Sequence, residues 1–346
     1  MFSRQAQFHP LRYLSELAKR FVKAGGKIYT KTHAVSAEGG KEAVVETKNG
    51  PRVTAKHVVV ATNVPFNERV AVHTKQAAYR SYVIGAHIPA GVIPHALYWD
   101  TDEPYHYIRV VPQKNAAKEL LIIGGEDHKS GQPPAAPSPY AALEAWGRHR
   151  FPQMEEVVYQ WSGQIVEPND GLAFIGRSPL DKPNVYIATG DSGNGLTHGT
   201  IAGILLTDLI VGKENPWAKL YDPSRITLSS GGEFVKENAN AFEQYLDWVT
   251  PGQAKEIDQI KPGEGAVIRR GLNKVAVYRN AEGGFCALSA VCPHLKAIVS
   301  WNNKEKTWDC PAHGSRFTPT GQVLNGPANS SLESVSKPEK SKIFSR

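Results

Sequence analysis

The sequence predicts a mixed α/β (α+β) domain over residues 1–221, a connector with a helix over 222–258, a small all-β domain over 259–335 and a basic tail at 336–346. Two observations carry this reading. In the front part a β-branched run, His57 to Asn63, ends in small polar residues. A second run from Asn184 passes through a Gly-rich turn into an apolar helix pattern, as expected of strands whose carboxyl ends face a ligand crevice. In the rear part, short strand patterns separated by Gly-rich turns carry two Cys/His loops.

Length and composition bound the function. At 346 residues and 41% hydrophobic, the chain can bury two cores. No run approaches the roughly 18 apolar residues of a membrane span, and the first ten residues lack the apolar core of a signal peptide. A cytoplasmic protein that does not bind membranes is expected. The net charge is +7, but Lys and Arg are dispersed without interleaved aromatics, so nucleic acid is not an expected partner. Steering of an acidic one-electron carrier protein is the alternative use of that charge. Three Cys exclude a disulfide framework and leave Cys286 outside the two loops.

The elements follow in order. Leu11, Leu14, Ala18, Phe21 and Val22 recur at helical spacing before Gly25 and Gly26, which predicts a helix over 11–24. A strand is expected at 27–35, then two short strands punctuated by Gly39-Gly40 and Asn49-Gly50, a small antiparallel excursion. Strand patterns dominate 74–125, notably at 81–88, 105–111 and 119–125. A Pro-rich loop at 131–139 leads to a helix near 140–151, and a helix at 201–211 follows the Gly-rich turn. Turn residues at 229–232 and a helix at 233–249 occupy the connector, and the strands of the rear domain begin near 265.

The first loop reads Cys292-Pro293-His294 and, fifteen residues on, the second reads Cys310-Pro311-Ala312-His313. Two thiolates and two imidazoles from two loops are the set a [2Fe–2S] cluster of the Rieske type requires, both sulfurs on one iron and both nitrogens on the other. Two Cys and two His could also hold a structural zinc, but zinc modules usually pair Cys with Cys and His with His. The surrounding text, AVCPHLKAIVSW, DCPAHGSRF and GQVLNGPA, resembles the Rieske family, whose proline-bearing loop over the cluster would be Gly326-Pro327-Ala328. The resemblance also implies that Ala297 and Ala312 stand where high-potential members carry extra Cys, that Ser315 is retained, and that Phe317 replaces a Tyr. Fewer donors to sulfur imply a potential of roughly −150 to +100 mV.

Over residues 5–220 the order of motifs is similar to the C-terminal half of FAD-dependent oxidoreductases of the glycine and D-amino-acid oxidase family. These motifs are Gln7 to His9 with its helix, the 57–63 strand, the 105–111 and 120–126 strands, Trp161-Ser162-Gly163 with Asp170-Gly171, and the 184–199 turn. The resemblance implies an FAD-dependent oxidoreductase domain, incomplete at its N-terminus. The G-x-G-x-x-G unit that cradles FAD pyrophosphate is not in this sequence, and poor FAD affinity is expected. It further implies that Gly193, Gly195, Leu196, Thr197 and His198 touch the isoalloxazine, that Ala61, Thr62 and Asn63 lie against the cofactor from the neighbouring strand, that Gly163 and Gly190 also bind the cofactor, and that Ala34 lies near the adenosine.

Tyr107 and Arg109 alternate on one strand and would share a face, where the family lines its substrate site and can clamp a carboxylate. A half-buried strand with polar residues facing water gives the same pattern. Ile165 stands where several amino-acid oxidases carry a carboxylate-binding Arg, which argues against an amino-acid substrate. His106 and His198 are candidate acid/base groups, although a lone His more often has a structural role. The expected function is oxidation of an amine- or amino-acid-like small molecule, with electrons moving between FAD and the cluster. The alternatives are a Rieske electron-transfer module with a flavin domain serving as scaffold, and a zinc-stabilised interaction protein.

Overall fold

The computed structural model describes residues 4, 6–67, 72–113, 117–132, 137–225, 247–248 and 251–335. The turn expected at 229–232, most of the helix expected at 233–249 and the basic tail lie outside the described residues. Helix α1 (Pro10–Lys23) leads to strands β1 (Ala34–Glu38), β2 (Ala43–Thr47), β3 (Arg52–Ala55) and β4 (Val58–Val60). Then come β5 (Gln76–Pro89), β6 (Leu97–Trp99), β7 (His106–Val111), β8 (Lys118–Lys129), helix α2 (Pro139–Arg150) and β9 (Val157–Pro168). Strands β10 (Phe174–Arg177) and β11 (Val185–Thr189) precede helix α3 (Gly195–Ile210). The rest is all β: β12 (Gly265–Arg270), β13 (Asn273–Arg279), β14 (Phe285–Ser289), β15 (Ser300–Asn302), β16 (Thr307–Asp309), β17 (Arg316–Phe317) and β18 (Val323–Asn325). Among the described residues no helix is long and apolar enough to cross a membrane.

The chain falls into two compact units, residues 1–33, 81–127 and 134–163, and residues 34–80, 128–133 and 164–346. The first holds α1, α2 and most of a five-stranded sheet ordered β6-β7-β8-β5-β9. Alternation sets its core: Ile108 and Val110 of β7 turn inward with Leu121 and Ile123 of β8, against Tyr140 and Leu143 of α2. Burying each such aliphatic side chain stabilises the unit by about 1.5–3 kcal/mol. Gly147 lets α2 approach closely, since a Cβ there would lie 2.6 Å from Ile123 Cδ1. Helix α1 forms where its spacing predicts, with Pro10 at its first turn, but no residue of it is buried. Its apolar stripe faces outward, Leu11 at 70% and Phe21 at 51% exposure.

In the second unit β1, β2 and β3 form the expected antiparallel excursion. The strand expected at 27–35 begins only at Ala34, because Ala34 pairs with Thr47, the last residue of β2, and β2 offers no partner beyond it. Strand β11 lies between β10 and β4, antiparallel to β10 and parallel to β4, with Val58 opposite Val185 and Val60 opposite Ile187. Helix α3 packs Ala202, Leu205 and Leu206 against Ile175 and Tyr186. It begins at Gly195, six residues before the apolar pattern predicts, so the weak helix formers of its first turns are carried by the packing of the later ones. The rear part builds two antiparallel sheets, β12-β13-β14 and β15-β16-β17-β18. Their core encloses Trp308 and Phe317 together with Cys292 and Cys310.

Candidate functional site

At the carboxyl ends of β4 and β11 the chain opens a cavity of about 270 Å³. Ala61, Asn63, Gly190, Gly195 and His198 line it, as do Thr189 and Asp191. Gly190 and Gly193 both sit at φ +72°, where L side chains are disfavoured, and Gly190 also touches Pro168, whose Cγ would be 2.7 Å from an added Cβ. Around the Cβ position of Gly193 there is open space. The Asn194 side chain bonds Ser192 O instead of capping α3. The first turn of α3 thus presents backbone amides and its positive dipole end to a ligand.

Other expected cofactor residues are distributed differently. Thr62, Gly193, Leu196 and Thr197 belong to the same two turns but do not line the cavity. Ala34 is the first residue of β1, and Gly163 closes the last segment of the first unit. Sequence reasoning passed over Asp191, although it sits between the glycines of the motif. Burial pushes its carboxyl above the usual carboxylate range, against the pull of His198. The His198 ring is fixed by a 3.0 Å bond from Nδ1 to Asp191 O. A carbonyl only accepts, so Nδ1 carries a proton in this bond.

Tyr107 and Arg109 lie in the first unit on one face of β7, as their alternation predicts. The Tyr107 hydroxyl is 3.5 Å from Ser81 Oγ, and burial raises its phenol above the ordinary range, with Asp127 adding to the effect. Its ring covers Gly124, where a Cβ would come within 2.1 Å of it. His106 is held on both ring nitrogens and on its face: Nδ1 is 2.9 Å from Asp100 Oδ2, Nε2 is 3.4 Å from Glu126 Oε1, and the ring stacks on Trp146 at 4.2 Å.

The two Cys/His loops are tight turns. Lys296 N donates to Cys292 O and Cys292 N to Ala297 O; Gly314 N donates to Cys310 O and Cys310 N to Ser315 O. The turns bring the sulfurs together and the rings together. Cys292 lies below the ordinary thiol range because Cys310 donates to it, helped by the His294 and Leu295 amides and the Ser315 hydroxyl. Cys310 is pushed well up by that same bond and by burial. Ser315 Oγ also accepts from Ala328 N at 3.0 Å, tying the Gly326-Pro327-Ala328 loop to the site. The His294 and His313 rings are 5.2 Å apart and nearly perpendicular. His313 Nδ1 is buried with no hydrogen-bond partner, and burial, with the neighbouring His73, lowers the pKa of His313 to about 3, leaving a neutral ring able to ligate a metal.

The Cys/His set brings two sulfurs together and two imidazole rings together, the donor types of a binuclear iron–sulfur centre. One side chain links this centre to the cavity. Gln164 Nε2 donates to Gly314 O at 3.0 Å, and its Oε1 accepts from Asn63 Nδ2 at 3.3 Å.

The glycine-turn crevice and the paired Cys/His centre fall within two separate family regions. The pattern of the family "FAD dependent oxidoreductase" matches residues 1–209, and that of the "Rieske [2Fe-2S] domain" matches residues 247–336. The chain belongs to the FAD dependent oxidoreductase family and carries a C-terminal Rieske domain; its cofactors are FAD and a [2Fe–2S] cluster. It is 31% identical over 333 residues to YhfW of Bacillus subtilis (strain 168), described as a Rieske 2Fe-2S iron-sulfur protein, covering 96% of this chain and 65% of that one. It thus spans slightly less than two thirds of that relative. The cytochrome b6-f complex iron-sulfur subunit of Synechococcus elongatus is 34% identical over 145 residues, 41% of this chain and 73% of the subunit. The structure of glycine oxidase from Geobacillus kaustophilus is similar at a TM-score of 0.49 and 21% identity, covering 62% of this chain and 57% of that one.

Proposed function

We propose that this protein oxidises an amine- or amino-acid-like small molecule and moves the electrons between flavin and cluster, with a one-electron carrier protein as the outside partner. When bound, FAD supplies two-electron chemistry and the [2Fe–2S] cluster supplies one-electron exchange. Cys292 and Cys310 would hold the cluster through sulfur, and His294 and His313 through nitrogen. Gly190, Gly193, Gly195, Leu196 and Thr197 bring backbone against the flavin ring, and the α3 terminus offers its dipole to negative charge there. Ala61, Thr62 and Asn63 flank the ring, with Gly163 beside it and Ala34 toward the adenosine. His198 presents Nε2 as a proton acceptor. Tyr107 and Arg109 orient the substrate, Arg109 through its guanidinium fork.

The observation that carries this reading is Gln164, whose amide bonds the flavin-side Asn63 and the loop of His313 at once. Visible spectra of the purified protein, taken before and after FAD addition and desalting, test it alongside iron and acid-labile sulfide. Retained flavin bands on a Rieske spectrum, with slower flavin-to-cluster transfer in Gln164→Ala, are expected. A cluster that never retains flavin would leave the scaffold alternative standing, and a colourless zinc protein would sink both.

A further inference from the structure

The turn before β5 brings a third imidazole to the ligand pair. His73, only 4% exposed, lies in the 3₁₀ turn His73–Lys75. Its ring centroid is 4.8 Å from that of His294 and 5.3 Å from that of His313, edge-on to both. The turn is anchored on either side. Val72 is fully buried with Val60 and Ile187, and Lys75 Nζ donates to Pro223 O at 3.1 Å and Arg225 O at 2.9 Å.

Neighbouring backbone closes in as well. Gly131 rests on the second ligand loop so tightly that a Cβ would lie 2.7 Å from Pro311 N, and its carbonyl accepts from Ser300 Oγ at 2.8 Å. A Cβ on Gly314 would come within 2.5 Å of the Ala78 methyl. The second ligand loop is thus packed on both flanks of its histidine, and His73 is the ring inserted against both ligands.

We propose that His73 is a positioning residue that closes the imidazole edge of the cluster, shielding the outer nitrogens of His294 and His313 from solvent and soluble carriers. Electron exchange at that edge is thereby confined to the flavin side, through Gln164. The inference rests on the cluster reading above and adds a specificity device to it. Its test uses the cluster-loaded protein and two readouts: carbethoxylation of His294 and His313 by diethyl pyrocarbonate, followed by peptide mass spectrometry, and the rate at which ferricyanide oxidises the reduced cluster.

In the wild type both ligands resist labelling. His73→Ala raises labelling and ferricyanide oxidation several-fold, and His73→Phe, which refills the space without a ring nitrogen, returns both to the wild-type level. Rapid labelling of His294 and His313 in the wild type overturns the proposal even if a variant fails to fold. An Ala variant with an unchanged cluster EPR spectrum and wild-type rates also overturns it. Failure of the underlying cluster reading is seen separately, as a wild-type protein without iron, sulfide or a [2Fe–2S] EPR signal.

Discussion

Arg80 offers the sharpest energetic test of how the cluster domain is held. It is 5% exposed, and its Nε donates to Glu305 Oε2 at 3.0 Å. Glu305 also accepts from Arg316 Nη2 at 2.7 Å, while Arg316 Nε reaches Asp309 Oδ1 at 2.8 Å. Burial opposes the charge on Arg316, but Asp309 and Glu305 outweigh it and raise its pKa. At this separation and an effective dielectric of about 20, the Arg80–Glu305 attraction is about 5–6 kcal/mol.

Desolvation offsets several kcal/mol of that, and Glu305 keeps Arg316 when Arg80 is lost. Arg80→Met should therefore destabilise the protein by about 2–3 kcal/mol, below the 3–5 kcal/mol typical of an orphaned buried charge. A fall in Tm of about 4–10 °C follows for a unit of this size. Glu305→Gln should cost less in the Arg80→Met background than in the wild type, and a double-mutant cycle in urea measures the difference as coupling. A cost for Arg80→Met under about 0.5 kcal/mol, or strict additivity in the cycle, would refute the argument.

Three further outcomes are expected. Phe317→Tyr adds a donor inside the cluster core and should raise the potential by about 40–60 mV, the equivalent of about 1–1.4 kcal/mol, in an EPR-monitored redox titration. Gly190→Ala places a Cβ against Pro168 at positive φ and should cost about 1–3 kcal/mol in thermal melts, with loss of flavin retention on desalting. Asp191 has a folded pKa raised above its unfolded one, so its contribution is fully present below the unfolded value of about 3.9 and is lost as pH rises through the folded value. Asp191→Asn should then be more stable than wild type at pH 7 and equal to it under acid conditions; equal melting temperatures at pH 7 would contradict the burial argument.

The cluster loops were legible because the chemistry packs a thiolate and an imidazole into each of two short turns, so sequence spacing records the ligand set. Strand β4 was legible in the β-branched run at 57–63, but its parallel pairing with β11 was not, because the partner lies more than a hundred residues away. Spacing also predicted α1, yet not that Leu11 and Phe21 would face outward, because periodicity reports a face and not what covers it. The late start of β1 depended on where β2 stops, which is a property of the partner strand. Gln164 and His73 left no mark in the sequence. An amide in a strand and a His in a polar turn become significant only when distant segments bring Asn63, Gly314, His294 and His313 to them.

The backbone contact between Gly131 and Pro311 bears on how electrons travel. A redox module on a tether delivers its charge by swinging, so its turnover slows in a viscous medium and responds to tether length. Here no space remains at that contact for even a methyl group. On the proposed transfer between flavin and cluster, the rate should be indifferent to added glycerol or sucrose, and lengthening the chain between the flavin part and the Rieske part should leave it unchanged.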